Sequence, residues 1–260
     1  MATYLDRILA AHRSTAAADT RPVEALREQA KAMAPTRGFT AALAGSAGLG
    51  VISEVKRRSP SKGDLFADLD PAVLARSYAA GGATCLSVLT DADWFGGSVA
   101  DLQTARAAVE VPVLRKDFTV CEADVCDTRI MGADAVLLIA AALDGGELAA
   151  FHELATEIGL DVLVEIHDEA ELERALAVGA TLVGVNQRDL VTFQVDTDRA
   201  VRMAPQMPAG VVRVAESGVR GVEDATVLHD AGYHAVLVGE TLVTSGDPQA
   251  EVASLRAIGI

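Results

Sequence analysis

Gly132-Ala133-Asp134-Ala135-Val136-Leu137-Leu138-Ile139 joins a helix stop and a small-residue turn to five apolar residues in a row. A strand that is apolar on both faces belongs inside a covered parallel sheet, where neither side meets water. The phrase returns at Gly82-Ala83-Thr84-Cys85-Leu86 and Gly179-Ala180-Thr181, and more loosely at Gly232-Tyr233-His234. The period of about fifty residues corresponds to two strand-helix units, so the echo marks every second strand.

Reading outward from these four runs, strands are expected at 51–55, 85–89, 111–114, 135–139, 161–164, 182–185, 211–215 and 235–238. Between them, 70–80, 99–109, 123–131, 148–158, 169–178 and 222–231 carry apolar residues at helical spacing. Eight alternating units predict an α/β fold of the (β/α)8 TIM-barrel type, in preference to an open doubly wound sheet. The 260 residues suit one barrel domain, with residues 1–45 as a helical extension ahead of the first strand. In that extension Tyr4, Leu5, Ile8 and Leu9, then Val23, Leu26 and Met33, read as two amphipathic helices. These helices either plug the barrel bottom or cover its mouth.

The odd-numbered strands finish in charged residues: Glu54 and Lys56, Lys116, Glu165 and Glu216. Side chains inside such a barrel stack in layers drawn from alternate strands, so these groups should converge at the C-terminal mouth. Desolvating several ions there costs several kcal/mol each unless they are paired, which favours an active site over a structural cluster. The chain holds only Lys31, Lys56, Lys62 and Lys116, against many arginines. A lysine can exchange a proton where a guanidinium cannot, so lysines kept at strand ends point to proton transfer. Asn186, the one asparagine, ends the sixth strand and can donate a hydrogen bond into the mouth. Ser217-Gly218 follows the seventh strand and Gly239-Glu240 the eighth, the two loops where barrels commonly bind phosphate.

A net charge of −15 argues against broad nucleic-acid binding, although Lys56-Arg57-Arg58-Ser59-Pro60-Ser61-Lys62 is a local basic patch suited to a small anion. Cys85, Cys121 and Cys126 show neither disulfide arithmetic nor zinc spacing. No apolar run is long enough to span a bilayer and the N-terminal segment has no signal-peptide core, so a cytoplasmic enzyme without membrane or nucleic-acid partners is expected.

Ser53-Glu54-Val55-Lys56-Arg57-Arg58-Ser59-Pro60-Ser61-Lys62-Gly63 closely resembles the first-strand signature of the indole-3-glycerol phosphate synthase family. Phe95-Gly96-Gly97-Ser98, Arg115-Lys116-Asp117-Phe118, Leu163-Val164-Glu165, the Asn186 segment, Ala215-Glu216-Ser217-Gly218 and Val238-Gly239-Glu240-Thr241-Leu242 follow in the family's order. The resemblance implies closure, decarboxylation and dehydration of a phosphorylated anilino-sugar in tryptophan biosynthesis, with neither metal nor organic cofactor. It further implies that Lys116 is the main general acid, with Glu165 and Glu54 as acid/base partners. Lys56 would hold the substrate carboxylate and share in proton transfer, while Asn186 and Ser217 orient the reacting groups. Ser59, Arg188, Glu216, Gly218, Gly239 and Glu240 would contact substrate or its phosphate, and Phe95, Phe118, Leu137, Leu190 and Leu237 would wall the aromatic ring.

Two departures stand out: Gln187 replaces a common second asparagine, and Glu240 a residue that is serine in some members. Arg115 beside Lys116 also leaves a one-residue register question, since only one of the two can point inward. The expected oligomeric state is a monomer, with weak association to other tryptophan-pathway enzymes. A Schiff-base aldolase or isomerase of similar fold, and a silent phosphosugar sensor, are the competing readings.

Overall fold

A computed structural model describes residues 3–60, 62–189 and 191–260. Eight parallel strands close into a barrel: β1 Gly50–Val55, β2 Cys85–Leu89, β3 Val113–Lys116, β4 Ala135–Ile139, β5 Asp161–Ile166, β6 Leu182–Asn186, β7 Val212–Glu216 and β8 Ala235–Val238. Each strand pairs with its neighbours in sequence, and β1 pairs with β8 in the register Gly50↔Ala235 to Ser53↔Val238. The open-sheet alternative is thereby excluded.

The four echoes have one local cause. Gly82, Gly132, Gly179 and Gly232 sit at φ 90°, 98°, 81° and 95°, a left-handed conformation that ends the preceding helix at little steric cost. The residue after each glycine donates its N–H back across the turn, as Ala83 does to the Tyr78 carbonyl and Ala133 to that of Thr128, both at 3.0–3.1 Å. That pattern caps the helix end and aims the chain into the next strand. In β4, Val136 and Leu138 then face the surrounding helices, while Ala135, Leu137 and Ile139 face the barrel axis. Alternation thus produces two hydrophobic layers, one inside the barrel and one between the barrel and its helices.

The outer helices are α4 Pro71–Ala80, α5 Val99–Ala108, α6 Glu122–Ile130, α7 Gly145–Glu157, α8 Glu169–Ala177 and α10 Val222–Asp230, close to the expected positions. Three helices escaped the periodicity reading: the five-residue α9 Arg199–Met203 and α11 Glu240–Thr244, and the nine-residue α12 Pro248–Arg256. Among the described residues no helix is long and apolar enough to cross a membrane.

Among the described residues the N-terminal segment holds three helices, not two: α1 Tyr4–Ala18, α2 Val23–Lys31 and α3 Phe39–Ala44. They divide the two proposed tasks. Phe39 and Leu43 of α3 are buried with Cys85, Ala135, Leu182 and Ala235 at the strand starts, so α3 plugs the bottom. The α1 helix lies over the other end, where Tyr4 meets Trp94 and Phe193 edge to face and His12 reaches Asp91 just beyond β2.

Candidate active site

At the C-terminal mouth the charged strand ends meet. Lys116 Nζ donates to Glu165 Oε2 at 2.7 Å and to Glu216 Oε2 at 3.1 Å, so one ammonium bridges β3, β5 and β7. Asn186 Nδ2 donates to the other Glu165 oxygen at 3.0 Å, while Lys56 Nζ lies 2.5 Å from Glu54 Oε1. Glu54, Glu165 and Glu216 are only 4%, 2% and 1% exposed, which makes these ion pairs obligatory for burial. Together they line a cavity that opens to solvent, with about 950 Å³ of empty space when its open mouth is counted.

The register question is settled by the strand pleat. Lys116 follows Leu114 toward the axis, whereas Arg115 turns outward and donates to the Asp124 carbonyl, Thr128 and Asp117.

The triad has uneven proton affinities. Burial alone would lower the Lys116 pKa, but the charges of Glu165, Glu216 and Glu54 overcome it and hold the ammonium protonated far above its ordinary value. The lysine is therefore not primed to lose its proton by crowding cations; it is a charged donor between two carboxyls. Burial would raise the Glu165 pKa, yet the charge of Lys116, then that of His167, with hydrogen bonds from Lys116 and Asn186, keeps it well below the usual range. For Glu216 burial wins: even with Lys116 opposing, it and the nearby charge of Glu165 push the carboxyl up to about 7. One carboxyl is held ionised and its neighbour is poised to carry a proton near neutrality.

The cavity wall is apolar on one side, with Phe95, Phe118 and Leu137 where they were expected and with Leu89, Ile139 and Phe193 beside them. Ser59, Arg188, Ser217 and Glu240 also border it. Gly218, Leu237 and Gly239 line instead an adjoining depression that shares Arg188 and Glu240. Leu237 itself is 5% exposed and packs inside the barrel, so most of it is core and not wall. Leu190 lies outside the described residues.

Ser217 has φ 65° and Gly218 φ 78°, so the chain makes a left-handed turn immediately after β7, strained for the serine and relaxed for the glycine. Gln187 answers the question raised by its substitution: its Nε2 donates to the Ser217 carbonyl at 2.7 Å and braces that turn. The Glu240 carboxyl accepts from Lys62 of the loop after β1, which leaves backbone N–H groups to meet any anion at this end.

Two glycines keep the charged layer clear. A Cβ on Gly239 would stand 2.3 Å from Glu54 Oε1, and one on Gly184 only 2.1 Å from Glu216 Oε1. Gly184→Ala is accordingly expected to fold while swinging Glu216 off Lys116. A misplacement of this size lowers kcat by about 10²-fold. Steady-state kinetics beside a thermal melt would check it; an unchanged kcat would show that Glu216 needs no fixed position.

Several functional neighbours carried little signal in the sequence. Asp91 and Asp117 line the cavity, and His12 Nε2 reaches Asp91 Oδ2 at 2.9 Å and lies 4.0 Å from Asp117 Oδ1. These three could in principle group round a cation, but the carboxyl oxygens are already engaged. Asp91 Oδ1 accepts from the Trp94 and Phe95 N–H groups, and Asp117 accepts from the Phe118 N–H, Thr90 and Arg115. The cluster therefore pins α1 to the loops that carry Phe95 and Phe118. Asp117 stands inside the Arg115-Lys116-Asp117-Phe118 motif without a role of its own there, and His12 is 79 residues from its partner.

A family model described as indole-3-glycerol phosphate synthase matches residues 5–255. The chain belongs to the indole-3-glycerol phosphate synthase family. Its relatives include the indole-3-glycerol phosphate synthase of Nocardioides sp., 55% identical over 213 residues, covering 82% of each chain. The synthase of Mycolicibacterium vanbaalenii is 49% identical over 260 residues, 99% of this chain and 95% of the relative. Among solved structures, thiamine phosphate pyrophosphorylase from Pyrococcus furiosus superposes with a TM-score of 0.61 at 16% identity, over 80% of this chain and 94% of that one. That likeness speaks for the barrel alone. Membership of the synthase family makes the chain an enzyme, a carbon-carbon lyase of the carboxy-lyase kind.

Proposed function

We propose that the chain converts 1-(2-carboxyphenylamino)-1-deoxyribulose 5-phosphate into indole-3-glycerol phosphate, carbon dioxide and water in tryptophan biosynthesis, by general acid-base catalysis from Lys116 and the mouth glutamates. The observation that carries this reading is the Lys116 ammonium bridging Glu165 and Glu216 beneath an apolar wall. As the aryl carbon bonds to the sugar carbonyl carbon, ring closure needs a proton at the carbonyl oxygen, and Lys116 is a charged donor lining the cavity. Loss of carbon dioxide then restores the aromatic ring. Loss of the hydroxyl as water needs a second acid and a base, for which Glu54 and Glu165 supply the carboxyls.

Lys56, which pairs with Glu54, meets the anthranilate carboxylate in this reading, and Asn186 and Ser217, which border the same cavity, orient the reacting groups. Ser59 and Arg188, with the backbone at Gly218, Gly239 and Glu240, form the phosphate end. Phe95, Phe118 and Leu137 hold the ring; Leu190 belongs to the same proposed wall on its sequence alone. Every proton in this scheme is moved by a side chain, so the chemistry calls for no metal or organic cofactor. We read residues 1–260 as one barrel domain acting as a cytoplasmic monomer, a reading that rests on the sequence and the family resemblance.

Purified protein given the anilino-ribulose phosphate is expected to develop indole fluorescence without added metal. A flat trace from folded protein would reject the assignment. Borohydride added during turnover should trap no lysine adduct, and a covalent adduct at Lys116 would favour the Schiff-base alternative.

A further inference from the structure

His167 follows β5 directly and carries a ring nitrogen, Nε2, that is buried and has no hydrogen-bond partner among the described residues. Such atoms are uncommon and call for a reason. The other ring nitrogen is fixed: Nδ1 lies 3.1 Å from Glu171 Oε2, the same oxygen that accepts the His167 backbone N–H at 2.7 Å. A donor at Nδ1 leaves Nε2 as the position where a proton comes and goes. What Nε2 faces is Glu165 Oε1, at 3.7 Å, within ion-pair range but beyond a hydrogen bond.

We propose that His167 is a positioning residue for Glu165: anchored by Glu171, its imidazole presents Nε2–H to Glu165 Oε1 and couples the orientation and protonation of that carboxyl to its own. The proposal rests on the reading of Glu165 as an acid/base partner. The charged groups around the ring are Glu165 on β5, Glu171 on α8 and Arg199 on α9. Burial would lower the His167 pKa, but the Glu171 hydrogen bond and the charges of Glu165 and Glu171 raise it, against a smaller opposing effect of Arg199. A neutral Nε2 would aim its lone pair at an ionised carboxylate, so loss of the imidazole proton and uptake of one by Glu165 favour each other. No proton is created: when Glu165 accepts one in the reaction, the imidazolium loses the partner that held its own.

Because folding raises the His167 pKa above the ordinary 6.5, its charge is complete below 6.5 and is lost as pH rises through the higher folded value. His167→Ala is expected to lower kcat about tenfold with KM within about twofold, and to delete the corresponding limb of the kcat profile. His167→Gln keeps an N–H near Glu165 that does not titrate; it should recover most of the rate while still lacking that limb. Variants that retain the wild-type limb, or whose whole loss is in KM or thermal stability, would overturn the proposal. A readout independent of turnover is the NMR titration of the His167 ring, whose pKa should fall by about one unit in Glu165→Gln. An unmoved titration in a protein that turns over the anilino-sugar sinks the coupling alone; a wild-type protein inert toward that substrate sinks the reading of the site.

Discussion

Lys116→Met is expected to lower kcat by about 10³-fold, within the range contributed by a positioned general acid, with a much smaller change in KM. Methionine fills much of the same space but leaves Glu165 and Glu216 facing each other with no ammonium between them. Two carboxyls that close cannot both stay ionised, so one takes up a proton. Breaking a buried pair by removing one partner costs about 3–5 kcal/mol. That loss should therefore be greatest at alkaline pH and should shrink as pH falls and Glu216, already raised to about 7, becomes neutral. Lys116→Arg separates charge from chemistry. A guanidinium can still bridge the two glutamates but releases no proton, so turnover should remain about 10²-fold down. Near-normal turnover in the arginine variant would remove Lys116 from the acid role.

Glu165→Gln should lower kcat by about 10²–10³-fold while the barrel stays folded. The amide keeps the shape of the side chain, and Lys116 retains Glu216 as a partner at 3.1 Å. What vanishes is a carboxyl able to accept and return a proton. The stability consequence has a definite sign. Folding depresses the Glu165 pKa, so its contribution is present above the ordinary 4.5 and is lost as pH falls through the lower folded value. Unfolding curves of wild type and variant should differ at neutral pH and converge in acid. A variant with wild-type kcat would show that Glu165 only anchors Lys116.

Much of the barrel could be read from the chain because every second strand, β2, β4, β6 and β8, follows the same physical event, a left-handed glycine that stops a helix before an apolar run. Strand ends were harder. Lys116, Asn186 and Glu216 belong to β3, β6 and β7, and β5 runs on to Ile166, although polar residues had suggested earlier stops. They remain in strand because the mouth supplies each with a partner, which local composition cannot show. The short helices α3, α9 and α11, with five or six residues each, give periodicity too little length to register. For α12 the Asp247-Pro248 start was available: Asp247 accepts from the Ala250 N–H and caps the helix.

In the site, alternation was enough to bring Lys116, Glu165 and Glu216 together, since it needs only strand phase. It could not supply His12 against Asp91 or His167 against Glu165, because those contacts depend on how a helix lies over a mouth and how a loop folds back. Nor could it divide the glycine-rich loops between cavity and neighbouring depression, which turns on backbone paths at Ser217 and Gly239.

The pairing of β1 with β8 joins residues nearly two hundred positions apart in the chain, and Glu54 sits against Gly239 across that junction. A chain emerging from the ribosome can stack its early strands in order, but it cannot shut the ring until β8 has been made. Until then the first strand offers a bare edge, and Glu54 and Lys56 lack the neighbour that confines them. Competence for the reaction therefore waits on β8, and a product cut short before it would be an open sheet with an incomplete charged layer.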